Sequence, residues 1–327
     1  MTFYRSSTAA ASTITVQALG SVQFDDTSSA GTATLIADLG TLSFQDFATG
    51  GSSTLIADGG TIYFTNQSNG QFAQLQLTNG GTLNITAHGS TTVMAIGSLE
   101  GDTSSQVQLG KRQLTVGGNG VSTTFNGLIK DDPLQRGSLV KIGSETLTLT
   151  HANAYGAGTT IAGGTLIARA TTGSATGTGP VQVNAGTFGG TGSVSGAVTV
   201  GTGSGPRAFL APGVKGPGTL SITNTLTFNS NGSYKCELGL TPHSKADQVS
   251  ANGVTVESGA TFVLRTKGNQ TLPLGTVFTV ISNTAGTPIS GTFANLADGS
   301  IINAAQNRLQ VSYEGGNGND LTLTVVP

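Results

Sequence analysis

The chain has 327 residues, of which fifty are glycine and only 9% are charged, against about 7% glycine and about 25% charge in ordinary domains. Nine prolines and no Gly-X-Y period exclude a collagen. A net charge of −2 without a basic cluster gives nucleic-acid binding no electrostatic footing, and no apolar run is long enough for a membrane-spanning helix.

Residues 1–98 are written in a repeat of twenty residues. Thr34-Leu35-Ile36-Ala37-Asp38 recurs letter for letter as Thr54-Leu55-Ile56-Ala57-Asp58. Gly40-Thr41-Leu42-Ser43-Phe44 answers Gly60-Thr61-Ile62-Tyr63-Phe64; Gly20-Ser21-Val22-Gln23-Phe24 precedes it by one unit, and Gly81-Thr82-Leu83-Asn84-Ile85 follows it. A fixed period of this size marks units that are stable only when stacked on their neighbours. Within each unit the apolar residues alternate with polar ones, the pattern of short strands with one buried face. Val22 and Phe24, Leu42 and Phe44, Ile62 and Phe64 share a face, as do Leu35 and Ala37, Leu55 and Ala57, Leu75 and Leu77. Glycine turns joining such strands wrap them into coils about 4.8 Å apart. Phe24, Phe44, Phe64 and Ile85 are then expected to form an interior column, each ring contributing about 2 kcal/mol. Met1 to Leu19 reads as most of another unit, with Phe3 at the aromatic position, so we expect either a piece of a longer solenoid or an edge for another chain to cover.

This region holds the candidate metal ligands. Asp26, Asp46 and Asn66 recur at the repeat spacing, as do Asp38, Asp58 and Thr78. Like charges stacked at strand spacing repel, and calcium, which takes hard oxygen ligands, could neutralise either pair. The alternative is that Asp and Asn are turn formers on a solvated edge. No Lys or Arg occurs between Ser6 and Gly110. A threonine ladder of ice-binding type, begun by Thr32 with Thr34 and by Ser52 with Thr54, breaks at Phe72 and Gln74.

Over residues 99–235 the period loosens while the vocabulary persists, with Gly164-Thr165-Leu166, Gly186-Thr187-Phe188 and Gly218-Thr219-Leu220 each opening a strand. Asp131-Asp132-Pro133 is a turn signal and the only adjacent acidic pair outside the early repeats. His88, His151 and His243 share no repeat position and read as surface residues rather than metal ligands. Residues 236–327 have longer strands, such as 276–282 and 320–326, and read as a cap that closes the solenoid. Cys236, the single cysteine, forms no internal disulfide and reads as a small buried hydrophobe. Gly315-Gly316-Asn317-Gly318-Asn319-Asp320 approaches the calcium-binding nonapeptide of β-rolls, but one copy with Leu321 directly after Asp320 reads as a tight turn.

From residue 99 onward the chain reads Ser122-Thr123-Thr124-Phe125-Asn126-Gly127-Leu128-Ile129, Gly137-Ser138-Leu139-Val140-Lys141-Ile142-Gly143, Thr146-Leu147-Thr148-Leu149, Gly158-Thr159-Thr160-Ile161 and Gly163-Gly164-Thr165-Leu166. Taken in order, these motifs resemble the autotransporter-associated β-strand repeat, also called the passenger-associated transport repeat. Gly186-Thr187-Phe188-Gly189-Gly190 with Leu210-Ala211-Pro212-Gly213 resembles a second unit, and Ser312-Tyr313-Glu314-Gly315-Gly316 the closing signature. The resemblance implies an all-β, right-handed single-stranded parallel β-helix passenger with a C-terminal capping region, exported to the surface of a Gram-negative cell. It carries over no catalytic residue and no cofactor. No signal peptide and no translocator barrel are visible, so we expect one part of a larger protein or a different export route.

The expected function is a non-enzymatic stalk segment serving adhesion, with a self-assembling extracellular filament subunit as the alternative. A carbohydrate-active β-helix is the third reading and requires a groove with clustered acids. Expected partners are neighbouring segments of a longer chain or other copies stacked end to end, and a host or matrix surface ligand, with no nucleic acid.

Overall fold

Alternation and glycine turns produce short parallel strands, and no helix forms among the described residues. The computed structural model describes residues 1–89, 93–132, 134–240 and 245–327. Together they hold about 10 turns of a β-solenoid. The chain divides into two compact units, residues 1–165 with 174–179, and residues 166–173 with 180–327.

In the first unit one parallel sheet stacks Thr2–Phe3, Ser21–Phe24, Thr41–Phe44, Thr61–Phe64, Thr82–Asn84, Gln106–Gln108 and Leu128–Lys130. A second stacks Thr13–Val16, Thr34–Asp38, Thr54–Asp58, Gln74–Thr78, Ser98–Gly101, Thr123–Phe125 and Thr146–Leu149. A third holds Met94–Ile96, Gln113–Val116, Ser138–Lys141 and Gly158–Ile161. In the earlier coils, single bridges from Thr8 to Ser29 to Thr49 to Asn69 form a further line of contact.

Register follows the repeat. Thr34 pairs with Thr54, Leu35 with Leu55 and Asp38 with Asp58, so identical residues stack. The aromatic column forms as the spacing predicts, with Ile85 also buried. Phe3 extends it: successive ring centroids from Phe3 through Phe24 and Phe44 to Phe64 are 4.5, 4.8 and 4.7 Å apart, with planes within 10°. Leu35, Leu55, Leu75 and Leu99 make a second interior column. Beside it, Gly101 faces Phe125 in register, and a Cβ at Gly101 would meet the Phe125 ring.

The Gly-Thr strand starts have a steric cause. A Cβ at Gly40, Gly60 or Gly81 would collide with the carbonyl of Val16, Ala37 or Ala57 in the coil before. Corners between strands use left-handed backbone, which Asp and Asn tolerate better than other side-chain residues. Asp26, Asp46 and Asn66 take φ of 53°, 50° and 56° at one such corner. At another corner Leu19 and Leu39 sit at 66° and 58°, where the next coil has Gly59 at 65°.

In the second unit, one parallel sheet holds Val181–Val183, Val198–Val200, Leu226–Phe228 and Val254–Val256. Another holds Gly186–Gly190, Ala208–Pro212, Gly232–Leu240 and Thr261–Gly268, and a third Ser193–Val194, Thr219–Ile222, Gln248–Ala251 and Val277–Asn283. The strand Gly232–Leu240 runs through residue 236 and keeps its parallel register with Thr261–Gly268. Antiparallel pairing between whole strands begins with Val277–Asn283, which pairs with Asp320–Val326; that strand pairs with Asn307–Gly315, which pairs with Ile301–Ala304. The core changes with it. Phe228, Tyr234, Phe262 and Phe293 meet mostly at tilted or edge-on angles with centroids 5.2 to 6.5 Å apart, and Tyr234 Oη donates to the Val280 carbonyl at 2.8 Å.

Candidate functional site

The Asp ladders are held by protein donors. Asn66 Nδ2 donates to Asp46 Oδ1 at 2.9 Å, and the Arg5 amide donates to Asp26 Oδ2 at 3.0 Å. Asp58 Oδ1 accepts from Asn79 Nδ2 at 2.5 Å and from the Thr78 hydroxyl at 3.1 Å, while Asp38 stacks directly on Asp58. No cluster of three metal-ligating side chains occurs among the described residues. Asp320 lies at the end of a hairpin turn paired with Gly315, and its Oδ1 accepts the Asn283 amide at 2.9 Å. In the first unit, Asp102 accepts from the same Asn79 that bonds Asp58 and gathers several further donors. Burial pushes its carboxyl up, but hydrogen bonds from Ser104, Ser105 and the Asn79 amide outweigh that and bring it to about 2.

The acidic pair serves as turn furniture. Asp131 Oδ2 accepts the amides of Gly137 at 3.0 Å and Gly156 at 2.7 Å, and Asp132 Oδ1 accepts the Leu134 amide at 3.1 Å. Pro133 and His243 lie outside the described residues.

His88 departs from the surface reading: it is 1% exposed. It occupies the corner position above Ser68, where its Nε2 lies 2.8 Å from the Ser68 carbonyl and its Nδ1 2.9 Å from that of Gly89. His151 is half-buried, with Nδ1 beside the Ala152 carbonyl.

Two charged clusters were not singled out by sequence. The first is inside the solenoid. Lys141 is fully buried between Val116 and Ile161 in the strand register. Its ammonium lies 3.7 Å from Glu145 Oε1 and donates to the Ile142 carbonyl, and Glu145 Oε1 accepts the Gly118 amide at 2.6 Å. Burial pulls the Lys141 ammonium down while Glu145 pushes it back up. Burial pushes the Glu145 carboxyl up, but amide donors and Lys141 win and hold it below the usual range.

The second is a groove on the outer face of the second unit, lined by Thr187, Ala211, Lys215, Lys235, Glu237, Asp247 and Arg265 among others. Three coils supply its charged wall. Along Gly232–Leu240, Tyr234 and Cys236 point inward and are buried, so Lys235 and Glu237 point outward. Glu237 pairs in register with Arg265. The turn 213–218 forms one rim, pinned because Asp247 Oδ1 accepts the Gly218 amide at 3.0 Å and Oδ2 accepts the Glu237 amide at 2.8 Å. Burial pushes the Asp247 carboxyl up to about 6, with its two amide donors opposing and the Glu237 charge adding. Burial and then the Arg265 charge pull Lys235 down, and its ammonium sits 3.5 Å from the centroid of the Phe209 ring. Cys236 is buried as expected, and burial followed by the Asp247 charge holds its thiol protonated.

Compared with known families, residues 139–168 fit the Passenger-associated-transport-repeat. That segment contains Lys141, Glu145 and the strands Thr146–Leu149 and Gly158–Ile161. No curated protein matches the chain significantly. The repeat together with the β-solenoid fits an autotransporter passenger domain, a class of exported surface protein.

Proposed function

We propose that this chain is a non-enzymatic stalk segment of an exported cell-surface protein of autotransporter type, and that it serves adhesion. The observation that carries the reading is the match over residues 139–168 on coils whose interior is mostly hydrophobic stacking, broken there by the buried Lys141–Glu145 pair. Such stacking commits nearly every inward position to packing and leaves its outer faces for recognition. The acids of this region support the non-enzymatic part: Asp131 and Asp132 hold turn amides, and Glu145 is tied to Lys141 and Gly118.

The test is surface display. The chain is placed between a signal peptide and a translocator barrel in a Gram-negative host, then assayed for protease-accessible display and for adhesion to host cells and matrix. Display with adhesion above a barrel-only control is expected. Display without adhesion on any surface overturns the adhesive part, and failure to display overturns the passenger reading.

A further inference from the structure

Among the described residues, the groove on the second unit sets cations that have no carboxylate partner, Lys235 meeting only the face of the Phe209 ring, beside a carboxylate oxygen that has no donor. Lys235 and Arg265 line one groove from neighbouring strands, and among the described residues neither they nor Lys215 has a carboxylate at ion-pair distance. Lys215 lines the same groove at φ 123°, a conformation side-chain residues rarely adopt and one that collects at ligand clamps. In the same groove Glu237 Oε1 is buried and accepts no hydrogen bond from any described residue. Asp247 answers neither need, because both its oxygens are taken by backbone amides.

A ligand that resolves all of this must bring an anionic group for the cations and a hydrogen-bond donor for Glu237. A bare inorganic anion supplies the first and is repelled by Glu237. A neutral sugar supplies the second and leaves Lys235 and Arg265 without a counter-charge. We propose that the groove binds a uronic-acid ring of an acidic polysaccharide, its carboxylate between Lys235 and Arg265 and a ring hydroxyl donating to Glu237 Oε1. The groove encloses about 200 Å³, below the ~300–1,000 Å³ of sites for drug-sized ligands, which suits one ring of a chain that continues outside it. Charge-assisted hydrogen bonds to the carboxylate supply the strength, and the hydroxyl supplies the discrimination. This deepens the adhesive part of the proposed function by naming its ligand class, and rests on that reading for its setting outside the cell.

The test is calorimetric titration of the full chain at pH 7.5 and low ionic strength with four probes: trigalacturonate, neutral trigalactose, sulfate and triglutamate. Trigalacturonate is expected to bind at least tenfold more tightly than the other three, and more weakly as salt rises. Lys235→Met and Arg265→Ala, both outward-facing, are each expected to weaken it at least tenfold with the wild-type urea midpoint kept. Should either variant unfold, amide shifts in the wild-type chain decide, and they are expected at 213–218 and 235–237. Equal binding of trigalactose overturns the role of charge. Equal binding of sulfate or triglutamate makes this a plain anion or acidic-peptide site and overturns the sugar. Shifts elsewhere, or no binding, overturn the groove. Adhesion of displaying cells to a surface without uronates, with no trigalacturonate binding, removes this inference and leaves the adhesive reading standing.

Discussion

Lys141 and Glu145 face each other across 3.7 Å inside the first unit, the one ion pair among its described residues and a charged contact in a column otherwise of Val and Ile. Both residues lie within the segment that matches the repeat, and both are buried.

Removing one partner leaves the other buried and unpaired, which typically costs about 3–5 kcal/mol. Lys141→Met alone, which strands the Glu145 carboxylate, is therefore expected to lower the urea midpoint sharply. Lys141→Met with Glu145→Gln keeps an acceptor for the Gly118 amide and is expected to recover most of that loss. A double-mutant cycle with no coupling would contradict this account.

Phe44 lies between the Phe24 and Phe64 rings and is fully buried. Phe44→Asp removes both stacking contacts and buries a charge, so a loss on the order of 5 kcal/mol is expected. A urea midpoint within experimental error of the wild type would refute the interior register.

Leu39 offers the opposite sign. It is 64% exposed at φ 58°, a corner that the next coil fills with Gly59. Left-handed backbone costs a residue with a Cβ about 1–2 kcal/mol, so Leu39→Gly is expected to be neutral or to raise stability by about 1 kcal/mol. A clear fall in melting temperature would show that the Leu39 side chain packs usefully on its neighbours.

Asp247 gives a pH signature. Its folded pKa, about 6, lies above the ordinary 3.8, so the folded state binds the extra proton between these values. Its contribution to stability is complete below the unfolded pKa and is lost as pH rises through about 6. Asp102, at about 2, runs the other way: its contribution is present above the ordinary value and is lost as pH falls through about 2. Urea titrations from pH 4 to 8 are expected to show a smaller decline for Asp247→Asn than for the wild type. Parallel curves would remove Asp247 from the pH response.

Calcium is expected to leave the melting temperature unchanged at millimolar concentration. The reason is local: amide donors from Asn66, Asn79 and Arg5 already occupy oxygens of Asp46, Asp58 and Asp26. A rise that is lost in Asp38→Asn or Asp58→Asn would restore the ladder as a cation site.

The first coils were legible because alternation and a constant period act together. With partners such as Asp46 and Asn66 twenty residues apart, one face assignment fixes all the others. The same logic already contained Lys141, which shares the buried face of Leu139 two residues before it, yet a lysine in a strand reads as solvent-facing unless alternation is trusted over chemistry. His88 was misread for the converse reason: its corner gives backbone carbonyls to both ring nitrogens, and corners carry no alternation signal. The groove was hidden by changing coil length. Ser233 and Thr261 are partners 28 residues apart, and Gly218 meets Asp247 at 29. No single period brings Lys215, Lys235, Asp247 and Arg265 together on paper.

The letter-for-letter stacking of Thr34–Asp38 on Thr54–Asp58 bears on how such a chain changes over generations. Excising residues 40–59 joins Leu39 to Gly60, restores a strand start of the same kind, and brings Phe24 onto Phe64. Every inward side chain keeps its column, and the turn at the seam keeps its residue classes. Recombination between the two copies thus yields a shorter protein that folds by the same rules, and unequal exchange yields a longer one. Coil number in this region is therefore a quantity that heredity can alter in whole steps without first passing through a broken intermediate.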